Sequence, residues 1–270
     1  PMVMTFDELL EQGAKAAEEN PGMLDQRIRE IEPEDLSVLI YTSGTTGPPK
    51  GAMLTHSNCV WMGKAITSNN PMYGKDEIMS FLPLCHIFEQ LFTVLAHFDV
   101  GHIVNFIESL ETITDNMREI SPTVGHAVPR IWEKYYSAIM IRMADATWFK
   151  RLVFSLALNI GKKRADLIMD FKPVPAGLAL QYKLAHFAVF RKLKERLGFD
   201  RIRVAYSGAA PIAPEILHFF HSIGVSLVEG YGQTEGTGVT TTSKIGEVKF
   251  GTVGVPLEGV EIKIADDGEI

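Results

Sequence analysis

Tyr41-Thr42-Ser43-Gly44-Thr45-Thr46-Gly47-Pro48-Pro49-Lys50-Gly51 is the stretch from which the rest of the chain can be read. It holds three glycines, four Ser/Thr hydroxyls, two prolines and one lysine, directly behind the apolar segment Leu36 to Tyr41. Glycine lets a backbone turn tightly and bring its N–H groups close to a ligand. Clustered N–H groups form a concavity for anions. The hydroxyls add uncharged donors, and Lys50 adds a mobile positive charge. These properties suit a polyphosphate. Two familiar phosphate loops are excluded. A P-loop counted from Gly44 would need glycine where Pro49 stands, and the dinucleotide pattern G-x-G-x-x-G is not present in the run. A flexible Ser/Thr/Gly linker is the bland alternative, but a linker has no reason to follow a strand and end in Pro-Lys-Gly.

Size and charge narrow the field. The chain has 270 residues, 46% hydrophobic and 22% charged, as in ordinary globular proteins. Its net charge of −7 argues against non-specific nucleic-acid binding, which favours a basic face. An anionic ligand must therefore be attracted locally, by loop N–H groups, a lysine and a metal. The two cysteines, Cys59 and Cys85, lack metal-ligand spacing and are too few for a disulfide framework. A reducing, cytoplasmic setting is expected. The longest strongly apolar stretch, Leu152 to Ile160, falls far short of the ~20 residues a membrane span needs. No secretory signal opens the sequence. Peripheral membrane contact and a homodimer stay open.

Periodicity places the elements. Thr5 with Glu8 reads as a capping box, and Phe6, Leu9, Leu10, Ala14 and Ala17 as the stripe of an amphipathic helix over 5–19, ended by Asn20-Pro21-Gly22. Leu36 to Thr42 is expected as a buried strand, and Thr55 as the start of a helix reaching about Asn69. Strands follow at 77–82, 102–107, 123–128, 201–207 and 226–229, with helices at 85–98 and 109–120. A nearly all-helical stretch runs from Arg130 to Leu197, capped by Gly198, and another helix lies between Pro214 and Gly224. This alternation predicts an α/β fold: a doubly wound, mostly parallel sheet with helices on both faces. After Gly251 the texture changes to turns and an alternating strand, Val260 to Ala265, as at the start of a β-rich subdomain. The expected division is a helical lead-in over 1–34, an α/β core over 35–248 and the opening of the β-subdomain over 249–270. The cations Arg191, Lys192, Lys194 and Arg196 read either as macrodipole complementation or as a patch for CoA phosphates or lipid headgroups.

Three further segments carry site chemistry: Pro83-Leu84-Cys85-His86-Ile87-Phe88-Glu89, Ser207-Gly208-Ala209-Ala210-Pro211-Ile212, and Glu229-Gly230-Tyr231-Gly232-Gln233-Thr234-Glu235. Adenine is flat and wants an aromatic ring on one side and little bulk on the other. Tyr231 could stack, while Gly208 and Ala209 let backbone approach; a half-buried structural tyrosine is the alternative. Taken in order with the Tyr41–Gly51 loop, these segments resemble the motifs of the adenylate-forming superfamily, which includes acyl-CoA synthetases, peptide-synthetase adenylation domains and luciferases. The resemblance covers nearly the whole chain from Leu36 onward.

The resemblance implies roles. Thr42, Ser43, Gly44, Thr45, Thr46, Gly47 and Lys50 would cradle the phosphates of ATP. Gly208, Ala209, Tyr231 and Gly232 would hold adenine, with Ala210, Glu229 and Gly230 in the same nucleotide site, Thr234 would hold the α-phosphate, and Glu235 a Mg²⁺ ion. Such a cation offsets charge repulsion of about 4 kcal/mol between two anions ~4 Å apart. His86 would lie beside the α-phosphate and the acyl carboxylate. It is read as a positioning residue, since a carboxylate is already deprotonated at neutral pH; a satisfied structural histidine is the alternative. His218 and His221, one helical turn apart, lack a third metal ligand and read as solvent-facing.

Ala127-Val128-Pro129-Arg130-Ile131-Trp132-Glu133-Lys134 is similar to a segment of the long-chain fatty acid–CoA ligase branch, in which an aromatic residue matched here by Trp132 gates the acyl tunnel. A core tryptophan is the alternative. The implied reaction joins a fatty acid, ATP and CoA through an acyl-adenylate. The same resemblance implies that the ribose-binding aspartate, the hinge and a lysine-bearing C-terminal domain lie outside this chain, so the polypeptide alone is expected to have negligible ligase activity. Other adenylating enzymes, acting on aryl, short-chain or amino acids, and a non-catalytic nucleotide-binding module are the competing readings.

Overall fold

The computed structural model describes residues 3–42 and 48–270. The centre of the signature loop, Ser43 to Gly47, lies outside the described residues, so the expectations placed on those five are not addressed by the geometry below.

Helix α1 (Phe6–Glu19) opens on the expected capping box: Thr5 Oγ1 accepts the Glu8 N–H and Glu8 Oε2 accepts the Thr5 N–H. Its apolar stripe meets no core, and Phe6 is 72% exposed. A short α2 (Met23–Glu30) follows, which the sequence reading did not include. Strand β1 (Leu36–Thr42) lies where expected, but only Ile40 in it is buried. The expectation of a buried strand is therefore corrected. β1 pairs antiparallel with an unanticipated β2 (Lys50–Thr55), from Leu36 opposite Thr55 to Thr42 opposite Lys50. The pair forms a separate two-stranded ribbon with one face open, so its apolar composition does not imply burial on both sides. Thr55 then caps α3 (His56–Asn69) through Asn58.

The α/β alternation follows. β3 (Glu77–Ser80) leads to α4 (Ile87–Gln90), which runs through a π-helical turn at Leu91–Leu95 into α5 (Ala96–Val100). Then come β4 (Ile103–Phe106), α6 (Ile113–Ile120) and β5 (Val124–Ala127). The helical middle consists of α7 (Pro129–Ala144), α8 (Trp148–Met169) and α9 (Ala176–Ala185), the last continuing through a second π turn into α10 (Arg191–Leu197). The chain closes with β6 (Val204–Ser207), α11 (Pro214–Ser222), β7 (Leu227–Tyr231), a 3₁₀ turn at Thr234–Gly236, β8 (Thr241–Thr242) and β9 (Val255–Pro256).

β3 and β4 pair in parallel, as do β5, β6 and β7; β8 and β9 extend the second group antiparallel. The Thr123 N–H donates to Glu77 O at 2.9 Å, placing β5 beside β3. The lateral order is thus β4-β3-β5-β6-β7-β8-β9. The expected strand over Val260 to Ala265 is absent; that segment pairs with no other strand among the described residues. Alternation supplies an apolar face, but a strand also needs an edge to bond to. The turn at Asp266-Asp267-Gly268 does form, with Ala265 N–H bonded to Glu269 O at 2.8 Å.

Both faces of the sheet are covered. Ile78, Val124, Tyr206 and Val228 point toward α3 and the α4–α5 helix, meeting Met62, Ile66, Phe88 and Phe92. Met79, Ala127, Ala205 and Leu227 point the other way, toward Trp132, Phe154 and Phe220 of α7, α8 and α11. Alternate residues of one strand therefore enter different cores, which is why these strands read as continuous apolar runs. Each fully buried large side chain contributes roughly 1.5–3 kcal/mol. The fold is the expected α/β architecture. The connections run outward in opposite directions from the β3/β5 boundary, and in open α/β sheets ligands bind outside the carboxyl ends of the strands at such a reversal.

Candidate active site

The carboxyl ends of β6 and β7 and the start of α4 enclose a cavity of about 170 Å³, open on one side. Its wall includes His86, Gly208, Ala209, Tyr231, Gly232 and Thr234, so three segments far apart in sequence meet there. The small size relative to the ~300 Å³ of a typical ligand pocket suits one part of a ligand, with the rest extending outward.

Backbone geometry explains why small residues occupy this wall. A Cβ on Gly232 would lie 1.7 Å from the Gly238 carbonyl oxygen, so only glycine lets the loop double back here. A Cβ on Gly208 would meet the Phe88 ring at 3.2 Å, the ring that roofs the end of β6. Ala209 sits at φ 68°, a left-handed conformation that costs a residue bearing a Cβ about 1–2 kcal/mol. Strain of this kind clusters at ligand sites. The Ser207 hydroxyl also faces the cavity; it is buried and has no hydrogen-bond partner among the described residues. A buried polar atom without a partner costs roughly 1–3 kcal/mol, and a ligand acceptor or donor would remove that cost.

His86 is the N-cap of α4. Its Nδ1 accepts the Phe88 N–H at 3.1 Å, so the neutral ring carries its proton on Nε2. Thr234 and Glu235 lie in the 3₁₀ turn, with Thr234 on the cavity wall and Glu235 exposed beside it. Strand β2, which begins at Lys50, runs against this turn. Thr42 and Lys50 sit opposite one another at the base of the signature loop. Among the described residues no three potential metal ligands cluster. An exposed carboxylate such as Glu235 fits Mg²⁺ only as one ligand among phosphate oxygens and water.

Other predicted residues fall elsewhere. Ala210 is exposed beyond the cavity rim. Glu229 is buried beneath the turn, where its Oε1 accepts the Ile212 N–H at 3.3 Å; burial raises its pKa, opposed by that hydrogen bond. It shapes the Gly208–Pro211 turn without lining the cavity. Trp132 is 2% exposed, donates Nε1–H to Ala127 O at 3.3 Å, and packs on Phe199 and Phe220. The enclosed space beside it measures about 10 Å³, too small for an acyl chain, and Trp132 sits here as a core residue. His218 and His221 share no metal ligand set. His218 Nε2 pairs with Asp166 at 2.8 Å, while His221 Nε2 bonds to Leu227 O at 2.7 Å. Their reading as solvent-facing is corrected by this partial burial.

One pair escaped the sequence reading. Glu89, on α4 just behind His86, is fully buried, and its Oε2 takes hydrogen bonds from His126 Nε2 at 2.9 Å and from the Leu82 N–H at 3.1 Å. Thr93 donates to Oε1 at 2.6 Å. His126 stacks on Phe92 at 4.7 Å and edges Phe88 at 5.8 Å. A histidine flanked by Gly125 and Ala127 inside an apolar strand was the available signal, but its partner lies 37 residues away.

The fold and cavity thus define an α/β domain with a ligand crevice at the carboxyl ends of its strands. Residues 2–270 match the AMP-binding enzyme family, and the chain belongs to that family. It is 39% identical over 242 residues to a putative fatty-acid–CoA ligase, fadD11, of Mycobacterium tuberculosis, covering 89% of this chain and 42% of that protein. It is 33% identical over 259 residues to the long-chain-fatty-acid–CoA ligase ACSBG2 of Homo sapiens, covering 94% and 38%. Among solved structures it resembles a long-chain-fatty-acid–CoA ligase (FadD1) from Archaeoglobus fulgidus, with a TM-score of 0.59 at 21% identity, covering 88% and 40%. A benzoate CoA ligase from Burkholderia xenovorans LB400 gives a TM-score of 0.58 at 19% identity, covering 89% and 38%. The chain spans about two fifths of the length of these curated relatives.

Proposed function

We propose that this chain forms the nucleotide-binding part of an AMP-forming fatty acid–CoA ligase. The observation that carries the reading is the meeting of His86, Gly208–Ala209 and Tyr231–Thr234 around one cavity at the carboxyl ends of β6 and β7. In the proposed reaction a fatty carboxylate attacks the α-phosphorus of ATP, forming acyl-adenylate and releasing pyrophosphate. The CoA thiol then attacks the acyl carbonyl, forming the thioester and releasing AMP.

Each residue has a physical task in this scheme. Tyr231 stacks on adenine from the Gly232 side, and the strained Ala209 turn brings backbone close to the base edge. Thr234 donates its hydroxyl to the α-phosphate. The Nε2–H of His86 is free to donate to the α-phosphate or to the incoming carboxylate, because Nδ1 is engaged by Phe88. Thr42 and Lys50 frame the phosphate end, with Lys50 supplying positive charge where negative charge shifts during transfer. Glu235 would hold Mg²⁺, which supplies charge neutralisation between the phosphate oxygens and the attacking anion. Peripheral membrane contact forms part of the same reading, supported by exposed Trp148, Phe149 and Leu152 beside exposed Lys150 and Arg151.

A second reading, an adenylating enzyme for a different acid, is favoured by one observation: the space at Trp132 admits no fatty chain as it stands. Calorimetric titration of the chain with a non-hydrolysable ATP analogue and Mg²⁺ tests the nucleotide part. Saturable binding that weakens about tenfold in Tyr231→Ala is expected; no binding, or binding indifferent to Tyr231→Ala, refutes it. ATP–pyrophosphate exchange by the full-length enzyme against palmitate, benzoate and amino acids then separates the two readings. Response to palmitate supports the first, and exclusive response to another acid supports the second.

A further inference from the structure

A larger cavity, about 370 Å³, lies at the other end of β7. The nucleotide cavity takes the carboxyl end of that strand, whereas Gly224 to Ser226, which lead into it, line this one. Five strand residues at ~3.3 Å each separate the two sites by roughly 15 Å.

Its charge is one-sided. Arg164 of α8, His186 of the second π turn and Lys194 of α10 all face it, and among the described residues no carboxylate stands on its wall. All three are half-buried, and among the described residues none makes an ion pair or a side-chain hydrogen bond. The Arg164 guanidinium lies over the Tyr182 ring at 4.3 Å, which orients its plane. The nearest acids are committed elsewhere or stand off the wall. Asp166 pairs with His218, and Asp200 acts on Lys194 only from a distance. Burial pushes the pKa of Lys194 down, and burial together with the charges of Lys194 and Arg191 pushes His186 down. Two cations, Arg164 and Lys194, are thus gathered beside a neutral His186 in a partly desolvated space, with Asp200 acting on Lys194 only from off the wall.

Helix-end complementation explains Lys194, which is in the last turn of α10, but not Arg164 or His186, which come from two other segments. The floor is apolar, formed by Ile168, Met169, Val225 and Val248. A cationic mouth over an apolar floor fits a phosphate carried on an organic group better than a bare inorganic ion. We infer that the cavity formed by Arg164, Tyr182, His186 and Lys194 binds a small soluble organic phosphate, at a site separate from the nucleotide cavity.

The test is calorimetric titration of the chain with phenyl phosphate and with inorganic phosphate, at an ionic strength held constant with potassium chloride. Saturable binding is expected, tighter for phenyl phosphate. Arg164→Gln and Lys194→Gln should each weaken it about tenfold, and Arg164→Lys by less. Tyr231→Ala should leave it unchanged. The ring resonances of His186 and His221 should shift on titration, a readout of location that does not depend on any variant's folding. The inference is overturned by heats equal to those of potassium chloride, by affinity indifferent to both Gln variants, or by loss in Tyr231→Ala, which would place the ligand in the nucleotide cavity. Binding only to phosphatidylglycerol vesicles, with none to soluble phosphate, also overturns it in favour of a membrane contact.

Discussion

Removing the Glu89 carboxylate should destabilise the domain more than any exposed charge substitution. Burial alone would raise the pKa of Glu89, but the hydrogen bond and charge of His126, followed by the Thr93 and Ser80 hydroxyls, hold it at about 2 against an ordinary 4.5. The depressed pKa favours the folded state with the carboxylate ionised. The folded-state pKa is depressed, so this contribution is fully present above pH 4.5 and is lost as pH falls toward about 2. Glu89→Ala also leaves His126 unpaired between Phe81, Phe88 and Phe92, and removing one partner of a buried pair costs roughly 3–5 kcal/mol. Replacing both partners, Glu89→Leu with His126→Phe, should recover most of the loss. Urea denaturation followed by far-ultraviolet circular dichroism at pH 7 and pH 3 measures each term. The gap between the parent and Glu89→Gln should be clearly smaller at pH 3. A gap of the same size at both pH values, or a Glu89→Ala loss below about 0.5 kcal/mol, would refute the reasoning.

Three further outcomes are expected. Ser207→Ala removes a buried hydroxyl that has no partner among the described residues, so stability should hold or rise by up to about 1 kcal/mol while affinity for an ATP analogue falls; thermal melts and calorimetry on the same samples check both signs. Gly232→Ala places a methyl 1.7 Å from Gly238 O and should abolish nucleotide-analogue binding, with unfolding less affected than binding because the loop lies at the rim of the fold. Gly198→Ala combines φ 75° with a Cβ 2.0 Å from Met117 O, forcing α10 off α6, and should cost roughly 2–5 kcal/mol in chemical denaturation with little change in ligand affinity per folded molecule.

Local signals were legible where local chemistry decides. The capping box at Thr5, the Thr55 start of α3, the Pro214 start of α11 and the Gly198 and Gly224 ends follow from rules that act within one turn. Burial was less legible. Leu36 to Thr42 has the composition of a buried strand, yet it forms an open ribbon because, among the described residues, its only strand partner is β2. Val260 to Ala265 has the alternation of a strand and, among the described residues, pairs with none.

For the candidate site, the shape of adenine was enough to single out Gly208, Ala209 and Tyr231, whereas His86 and Thr234 came from the resemblance of their segments to adenylate-forming motifs. Their convergence depends on the lateral order of the strands, which no short-range pattern encodes. The same is true of the Glu89–His126 pair, of the burial of Trp132 and of the cationic cavity beneath β7. Each joins side chains from elements distant in sequence, and the free energy that brings them together comes from packing both faces of the sheet. The chain's own order of residues therefore set what chemistry was on offer, and three-dimensional packing decided which groups could act on the same ligand.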